Sequence, residues 1–297
     1  MLAPIIIFAF NRLESLKATV QSLLCNDEAA DSPLYIFVDG PRVNHEGEAE
    51  KVAAVRKFAQ QVVGFKSVIC QFSNTNQGLG PSIIAGVSKV IGKHGRAIVV
   101  EDDLIVANNF LSFLNQGLNR YEYTPEVFSI CGYSNEVKVP ADYHADAYFC
   151  TRSSSWGWAT WADRWKSVDW ELKDWNHYKL HSKEFNQWGG SDCWGMLNGW
   201  KLGRNRSWAI RFCFAQFLQN KVSLFPIISK VQNDGFDGQG TNCKKWSRFR
   251  YVFDTEGSKD FTFPLDTTIN RRLYRSAIHY NSLLMRVYSR IMYMIHS

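Results

Sequence analysis

Three consecutive carboxylates, Glu101, Asp102 and Asp103, follow the short apolar run 97–100. Four apolar residues before a polar break are typical of a buried parallel strand. The strand ends of an open α/β sheet point into its ligand crevice. Adjacent carboxylates repel one another, and their oxygens suit Mg²⁺ and Mn²⁺, especially when phosphates complete the coordination shell. The triplet therefore predicts a site for a divalent metal and a nucleotide diphosphate, with a solvated acidic loop as the alternative.

The chain before this triplet alternates between apolar runs and amphipathic segments. The spacing predicts strands over 4–10, 34–38 and 66–72, and helices over 13–24, 46–62 and 81–91. Such alternation indicates a parallel sheet with helices on its faces. Polar residues follow the strands at Asn11, Arg12, Asp39 and the turn 76–80 around Gly78, and we expect them to meet at one edge. Because neither a GxGxxG nor a Walker motif occurs, a dinucleotide fold or P-loop is not expected.

The second half of the chain is rich in tryptophan, with ten of the eleven lying between Trp156 and Trp208. Most of these rings are expected in the core, and Trp156 and Trp158 are predicted to contact a sugar because they follow a run of small residues. The segment 233–242 contains three glycines. It predicts a mobile loop that closes over a ligand, with an ordinary surface turn as the alternative.

Composition narrows the class of protein. The chain has 297 residues, a net charge of +6 and seven cysteines with no CxxC pair. A zinc site or a disulfide framework is therefore not expected. The scattered cysteines instead predict a reducing, cytoplasmic location. The beginning of the chain has no signal-peptide pattern, and no segment is long enough to span a membrane. Aromatic and basic residues are not interleaved as in nucleic-acid-binding modules, so no nucleic acid partner is expected.

The tail 271–297 carries five arginines and no acidic residue, with apolar residues between them. A basic amphipathic helix of this kind can lie on an anionic membrane surface. It can equally dock on the rest of the chain or on a partner subunit of an oligomer. Both possibilities remain open from the sequence.

Several motifs occur in the order seen in GT-A-fold glycosyltransferases: Phe10-Asn11-Arg12, 37–40, 99–104, Gly157-Trp158 and 235–243. The chain resembles bacterial sugar transferases of the family-2 type and is similar to mannosyl-glycoprotein N-acetylglucosaminyltransferases, which carry a Glu-Asp-Asp motif. The resemblance covers about residues 3–245. It implies a Rossmann-like α/β fold: a mostly parallel sheet flanked by helices. The transferase domain would span 1–245, with a nucleotide-binding half 1–105 and a Trp-rich acceptor-side half 106–245. An extension, 246–297, would carry the amphipathic helix.

The resemblance also implies an activity, namely inverting transfer of a hexosyl or N-acetylhexosaminyl group from a nucleotide-sugar, foremost a UDP-sugar. The reaction would use Mn²⁺ or Mg²⁺, and the acceptor would be a surface polysaccharide, such as lipopolysaccharide, or a lipid-linked glycan at the inner face of the cell membrane. Asp103 resembles the metal ligand that bridges the diphosphate, Asp102 the residue that contacts the ribose, and Glu101 the residue near the donor sugar. Asp39 resembles the residue that bonds the base, and Arg12, with Phe10 and Gly78, lies where the nucleotide would bind.

The catalytic base stays open. An inverting transferase needs a carboxylate to take the acceptor proton, and the resemblance puts it near 205–211, where no acidic residue occurs. The candidates are Asp192, Asp234 and Asp237, although Asp192 could equally cap a helix that begins at 193. Asn242 stands where the family often has a histidine, so no metal ligand is expected from that loop. Two alternative functions remain: a noncatalytic nucleotide- or glycan-binding protein on the same fold, and a sugar nucleotidyltransferase, against which the missing triphosphate loop argues.

Overall fold

The computed structural model describes residues 2–233 and 249–296. Its strands, in chain order, are β1 Ile5–Ala9, β2 Pro33–Val38, β3 Ser67–Phe72, β4 Arg96–Glu101, β5 Leu104–Val106, β6 Val127–Cys131, β7 Ala147–Cys150, β8 Trp158–Trp161, β9 Val222–Pro226 and β10 Val231–Asn233. Eight of them form one sheet in the order β3-β2-β1-β4-β8-β6-β9-β7, and β10 pairs with β5 in a second, small sheet.

The helices surround this sheet. They are α1 Leu13–Leu24, α2 Glu48–Gln61, α3 Leu79–His94, α4 Phe110–Arg120, α5 Ala162–Lys166, α6 Trp175–Tyr178, α7 Ser182–Gly189, α8 Cys193–Lys201, α9 Ala209–Leu218, α10 Arg271–His279 and α11 Leu283–His296, with short 3₁₀ turns at Asp27–Ala29 and Lys179–His181. The first three agree with the helices predicted from sequence to within three residues at each end. The α/β architecture with a C-terminal helix is thereby confirmed.

The first four strands of the main sheet to appear in the chain are parallel neighbours, because β1 pairs with both β2 and β4, and β2 with β3. Successive side chains of β1 enter different cores. Ile5 and Ile7 pack in one buried cluster, whereas Ile6 and Phe8 pack in another. Because side chains of a strand alternate between the two faces of a sheet, both faces are covered. This is the reason that the strand reads as an unbroken apolar run.

The rest of the sheet is mixed. β8 lies antiparallel between β4 and β6, β6 pairs in parallel with β9, and β7 forms the edge, antiparallel to β9. Antiparallel strands need no helical crossover between them, so the regular alternation of strand and helix ends after β4. The parallel ends of β1, β2 and β4 remain together, and they position the candidate site.

The C-terminal segment packs against the β7 edge of the sheet. Leu273 and Ala277 of α10 are buried together with Tyr148 and Cys150 of β7. Of the two possibilities for the tail, α10 therefore follows the one in which the helix packs on the rest of the chain. In α11, by contrast, Leu284 is 80% exposed. No helix in the described part of the chain is long and apolar enough to cross a membrane.

Candidate active site

The acidic triplet lies where β4 ends and the chain turns into β5. Glu101 is the last residue of β4, and Asp102 and Asp103 form the turn. Burial, with added repulsion from Asp103 and Asp102, raises the pKa of Glu101 to about 8. Burial also raises the pKa of Asp102 to about 6, although Arg12 acts in the opposite direction. Full ionisation of the triplet is therefore unfavourable, and a bound cation would favour the ionised form of these carboxyl groups.

Arg12, which follows β1, bridges the two aspartates. Its Nη2 donates to Asp102 Oδ1 at 2.5 Å, and its Nη1 donates to Asp103 Oδ2 at 3.1 Å. The backbone N–H of Phe10 donates to the second oxygen of Asp102 at 3.3 Å. Burial opposes the charge of Arg12, but the two carboxylates raise its pKa on balance. The Arg12 side chain remains 28% exposed, so this cation is accessible to an anionic ligand.

Asp39, which follows β2, is held by the backbone of the neighbouring turn. Its Oδ1 accepts the N–H groups of Gly40 at 2.8 Å and Gln77 at 2.9 Å, and its Oδ2 accepts that of Gly78 at 2.9 Å. The turn approaches closely, because a Cβ on Gly40 would lie 2.4 Å from the carbonyl carbon of Thr75. Asp39 therefore fixes this turn beside the strand ends, and its contact with a base stays a prediction.

A second ion pair, which no sequence motif indicated, joins the segment between β2 and α2 to the first residue of α2. Arg42 Nη2 lies 2.5 Å from Oε1 of the buried Glu48. Hydrogen bonds from Arg42 are the main cause that lowers the pKa of Glu48 to about 2. Asn11 donates to the same carboxylate at 3.3 Å, and the Arg42 guanidinium lies 5.6 Å from the Phe10 ring centroid. The only sequence signal was two opposite charges six residues apart.

The segment before α9 passes beside the first turn of α3. A Cβ on Gly80 would lie 2.6 Å from the Arg206 carbonyl oxygen, and one on Gly78 would lie 3.3 Å from Arg206 Nη1. Gly78 has a φ of +80°, which favours glycine. The exposed Arg206 therefore stands next to the turn that Asp39 holds. The segment 205–211, where the resemblance would place a catalytic acid, brings a cation to this edge instead.

Asp192 is paired with the half-buried Arg152. Arg152 Nη1 donates to Asp192 Oδ1 at 2.8 Å, and Arg152 Nη2 donates to Oδ2 at 3.3 Å. Burial alone would raise the pKa of Asp192, but Arg152 lowers it on balance. A carboxylate held in this way is a weak base. Asp192 does occupy the N-cap position of α8, but its side chain makes no capping hydrogen bond. The geometry favours a structural role as the partner of Arg152.

The two tryptophans predicted as sugar contacts separate in the structure. Trp158 is 1% exposed and stacks on Trp165 and Trp208, with ring centroids 5.7 Å and 5.0 Å away. The expectation that Trp158 touches a sugar is thereby corrected, because its ring belongs to the core. Trp156 is half-buried, and it packs against the rings of Tyr133 and Phe249.

The end of β10 lies beside the acidic triplet. Asn233, the last residue of β10, pairs with Leu104 of β5, so the chain leaves β10 beside the residue that follows Asp103. Asp234 and Asp237, and the rest of the predicted closing loop, lie outside the described residues.

The acidic edge fits a metal only when a ligand contributes to the coordination. Within residues 2–233 and 249–296, no group of three or more His, Cys, Asp or Glu side chains is arranged to hold a metal ion. Asp103 is 13% exposed, and Arg12 contacts one of its oxygens. One carboxylate oxygen together with phosphate oxygens is a donor set that Mg²⁺ and Mn²⁺ accept. Asp103 would therefore hold such an ion together with a nucleotide diphosphate.

The chain matches no protein-family model, and no curated protein matches it in sequence. Among solved structures, it is similar to GalNAc-T7 with UDP, GalNAc and Mn²⁺, with 13% identity, coverage of 83% of this chain and 46% of that chain, and a TM-score of 0.49. It is also similar to S. aureus TarS 1-349, with 11% identity, coverage of 59% and 49%, and a TM-score of 0.38. For the same TarS fragment in complex with UDP, the identity is 10%, the coverage 49% and 39%, and the TM-score 0.33. This chain spans less than half the length of each of these three chains.

Proposed function

We propose that this protein is a glycosyltransferase that takes a sugar from a nucleotide-sugar, foremost a UDP-sugar, and transfers it with inversion to a glycan acceptor. One observation carries the proposal. The acidic triplet, the partly exposed Arg12 and the turn held by Asp39 meet at the carboxyl ends of neighbouring parallel strands. Such ends are where nucleotides bind in open α/β sheets. Carboxylates and a cation at one edge suit a metal-assisted departure of a diphosphate.

The chemistry assigns different tasks to these residues. A departing nucleoside diphosphate develops negative charge, and a fixed cation stabilises that charge. Arg12 supplies such a cation, since its guanidinium is fixed by Asp102 and Asp103 and remains accessible. A divalent ion on Asp103 would add charge stabilisation when it is bound. Glu101 lies at the end of β4, and its raised pKa keeps it mainly protonated at neutral pH. A bound cation would lower that pKa, and the carboxylate would then stabilise an oxocarbenium-like transition state.

The composition of the C-terminal helix α11 supports the choice of acceptor. The exposed apolar residues Leu283, Leu284 and Val287 of α11 alternate with Arg286 and Arg290. A helix of this composition suits an anionic lipid surface, where a lipid-linked glycan would be presented. The proposal therefore includes a surface-polysaccharide or lipid-linked acceptor at the inner face of a membrane.

A noncatalytic nucleotide- or glycan-binding protein is the second candidate. The observation that favours it is the state of the predicted base. Asp192 is paired with Arg152, and the segment 205–211 contains no acid. A binding protein on this fold would keep the nucleotide site without needing a group that takes the acceptor proton.

Thermal stabilisation by nucleotides tests the proposal. We expect UDP with Mn²⁺ to raise the melting temperature more than CDP, GDP or TDP, since a ligand that binds only the folded state stabilises it. Asp103→Ala should remove the Mn²⁺-dependent part. Asp31→Ala is the matched control, because Asp31 is exposed and precedes β2 at the opposite edge of the sheet. No stabilisation by any nucleotide would refute the proposal. Mn²⁺-dependent stabilisation without hydrolysis or transfer of any UDP-sugar would favour the noncatalytic candidate.

A further inference from the structure

A cavity of about 280 Å³ lies beside the β7 edge of the sheet, apart from the acidic triplet. Side chains from β7, β9 and the segment after β6 contribute to the lining. Its walls also include the loop 152–156, the first turn of α9 with Ala209, and the C-terminal residues Ala277, Ile278 and Asn281. The docked helix α10 is therefore part of this cavity.

Strand register places the cavity next to the end of β4. Val99 of β4 pairs with Trp158 of the antiparallel strand β8. This is the last pair of the two strands: β4 ends two residues later at Glu101, and Trp156, which lines the cavity, lies two residues before β8 begins. A second connection runs along the segment before α9. Arg206 touches the first turn of α3, and Ser207, the next residue, also lines the cavity. The cavity therefore lies near the strand ends that carry the acidic triplet and the turn held by Asp39.

The lining combines aromatic rings with polar side chains. The ring centroids of Tyr133 and Trp156 lie 4.5 Å apart, with an angle of 71° between the ring planes. Phe249 also packs against Trp156, with its ring centroid 5.8 Å away. Tyr133 Oη donates to Asn135 Oδ1 at 2.8 Å, which fixes the Asn135 amide in the lining. Sugars bind where ring faces meet their C–H groups and polar atoms meet their hydroxyls. The cavity offers both kinds of contact.

The charge of the lining selects among sugars. Within the described residues, Arg152 is the charged side chain that lines the cavity. Asp192 accepts hydrogen bonds from both terminal nitrogens of Arg152 and neutralises it. An acidic sugar would have to compete with this carboxylate for the guanidinium. The cavity therefore suits an uncharged sugar.

We propose that this cavity binds the terminal ring of the acceptor glycan and that this ring is an uncharged pyranose. The inference rests on the proposed glycosyltransferase function and names its acceptor class. The volume is close to the lower end of small-molecule sites, about 300 Å³, so one ring fits and the rest of the glycan extends outward. Docking of α10 completes the wall, which gives the C-terminal segment a role in substrate binding.

Saturation-transfer NMR on the full chain tests the proposal with methyl glycosides of glucose, galactose, mannose and N-acetylglucosamine, and with methyl glucuronide as the acidic comparison. Ala209→Phe fills the cavity from α9, and Ser155→Tyr fills it from the loop. Ala53→Phe is the matched control, because Ala53 is exposed on α2. The melting temperature and the stabilisation by UDP with Mn²⁺ are measured on the same samples, so that misfolding or loss of the nucleotide site is detected.

We expect at least one neutral glycoside to give a saturation-transfer signal. Its affinity should fall at least roughly fivefold in both cavity variants, because filling a site removes about 1 kcal/mol or more of binding energy. The control variant should bind the glycoside as the unchanged protein does. Glucuronide should give no signal. If UDP stabilises the protein but no neutral glycoside binds, or if Ala209→Phe and Ala53→Phe behave alike, the cavity assignment is overturned and the transferase proposal stands. If glycosides bind but no nucleotide does, the acceptor assignment fails together with the transferase proposal.

Discussion

The buried ion pair between Lys230 and Asp254 attaches the C-terminal segment to the sheet. Lys230 Nζ contacts Asp254 Oδ2, and both side chains are 7% exposed. Asp254 also accepts hydrogen bonds from Asn109 Nδ2 at 2.9 Å and from the Gly257 N–H at 3.1 Å. The pair joins the residue before β10 to the segment that leads to α10.

Asp254→Asn keeps the shape of the side chain and leaves the ammonium of Lys230 buried without a counterion. Removing one partner of a buried pair costs about 3–5 kcal/mol. Burial raises the pKa of Asp254, but hydrogen bonds from Lys230 and Asn109 lower it on balance from 3.8 to about 2, which accounts for up to about 2 kcal/mol. Because folding lowers this pKa, the stabilisation is fully present well above pH 3.8 and is lost as the pH falls through about 2.

We therefore expect Asp254→Asn to lower the free energy of unfolding by about 3 kcal/mol at pH 7, and the charge-dependent part to fall to roughly half at pH 3. Urea unfolding followed by tryptophan fluorescence measures this loss, and hydrogen exchange of peptides from 249–263 locates it. The exposed Asp260→Asn is the control in the same segment. The double variant Lys230→Met/Asp254→Leu should recover most of the loss, since no charge is then left buried. The reasoning is refuted if Asp254→Asn costs less than about 0.5 kcal/mol, the range of an ordinary surface substitution.

Three further predictions concern the site and its surroundings. Arg12→Met leaves the buried Asp102 without its cation, so we expect a loss of about 2 kcal/mol in urea unfolding and weaker stabilisation by UDP. Arg12→Lys should be intermediate because it lacks the two-pronged donor. Equal stability of all three proteins would contradict the pairing. Gly80→Ala places a Cβ 2.6 Å from the Arg206 carbonyl oxygen and should lower the melting temperature. The site at Gly92 is open, so Gly92→Ala should stabilise α3 by about 0.5–1 kcal/mol. Equal changes in melting temperature for the two variants would argue against the close approach at Gly80. Leu284→Glu should weaken sedimentation with phosphatidylglycerol vesicles roughly tenfold, as expected for one Leu no longer buried in lipid, and undiminished sedimentation would refute a membrane role for α11.

Much of the first half of the fold follows from local sequence signals. The apolar runs 4–10 and 97–100 became β1 and β4, because a strand buried on both faces needs apolar side chains at every position. Amphipathic spacing predicted α1 with its observed ends, Leu13–Leu24. The convergence of Arg12, Asp39 and the acidic triplet was also predictable, since parallel neighbours carry the residues after their ends to one edge.

The second half was less predictable because its elements are short and its sheet is mixed. Periodicity indicated an aromatic core but could not separate Trp156 from Trp158, which stand two residues apart. β8 begins at Trp158, and Gly157 before it has a φ of +62°, so Trp158 is buried in the sheet whereas Trp156 lies outside the strand. Likewise, an acid before a helix signals a cap, but the 40-residue separation between Arg152 and Asp192 carries no local signal of their pairing.

By itself, then, the sequence determined which segments are strands and helices in the nucleotide-binding half and which polar residues follow them. Those properties depend on backbone preference and on side-chain periodicity, which are local. Tertiary structure alone decided that Arg12 bridges Asp102 and Asp103, that Arg152 forms an ion pair with Asp192, and that α10 closes a cavity near the end of β4. These contacts join residues far apart in the chain, and long-range packing and the burial of charge select them only when the whole sheet has formed.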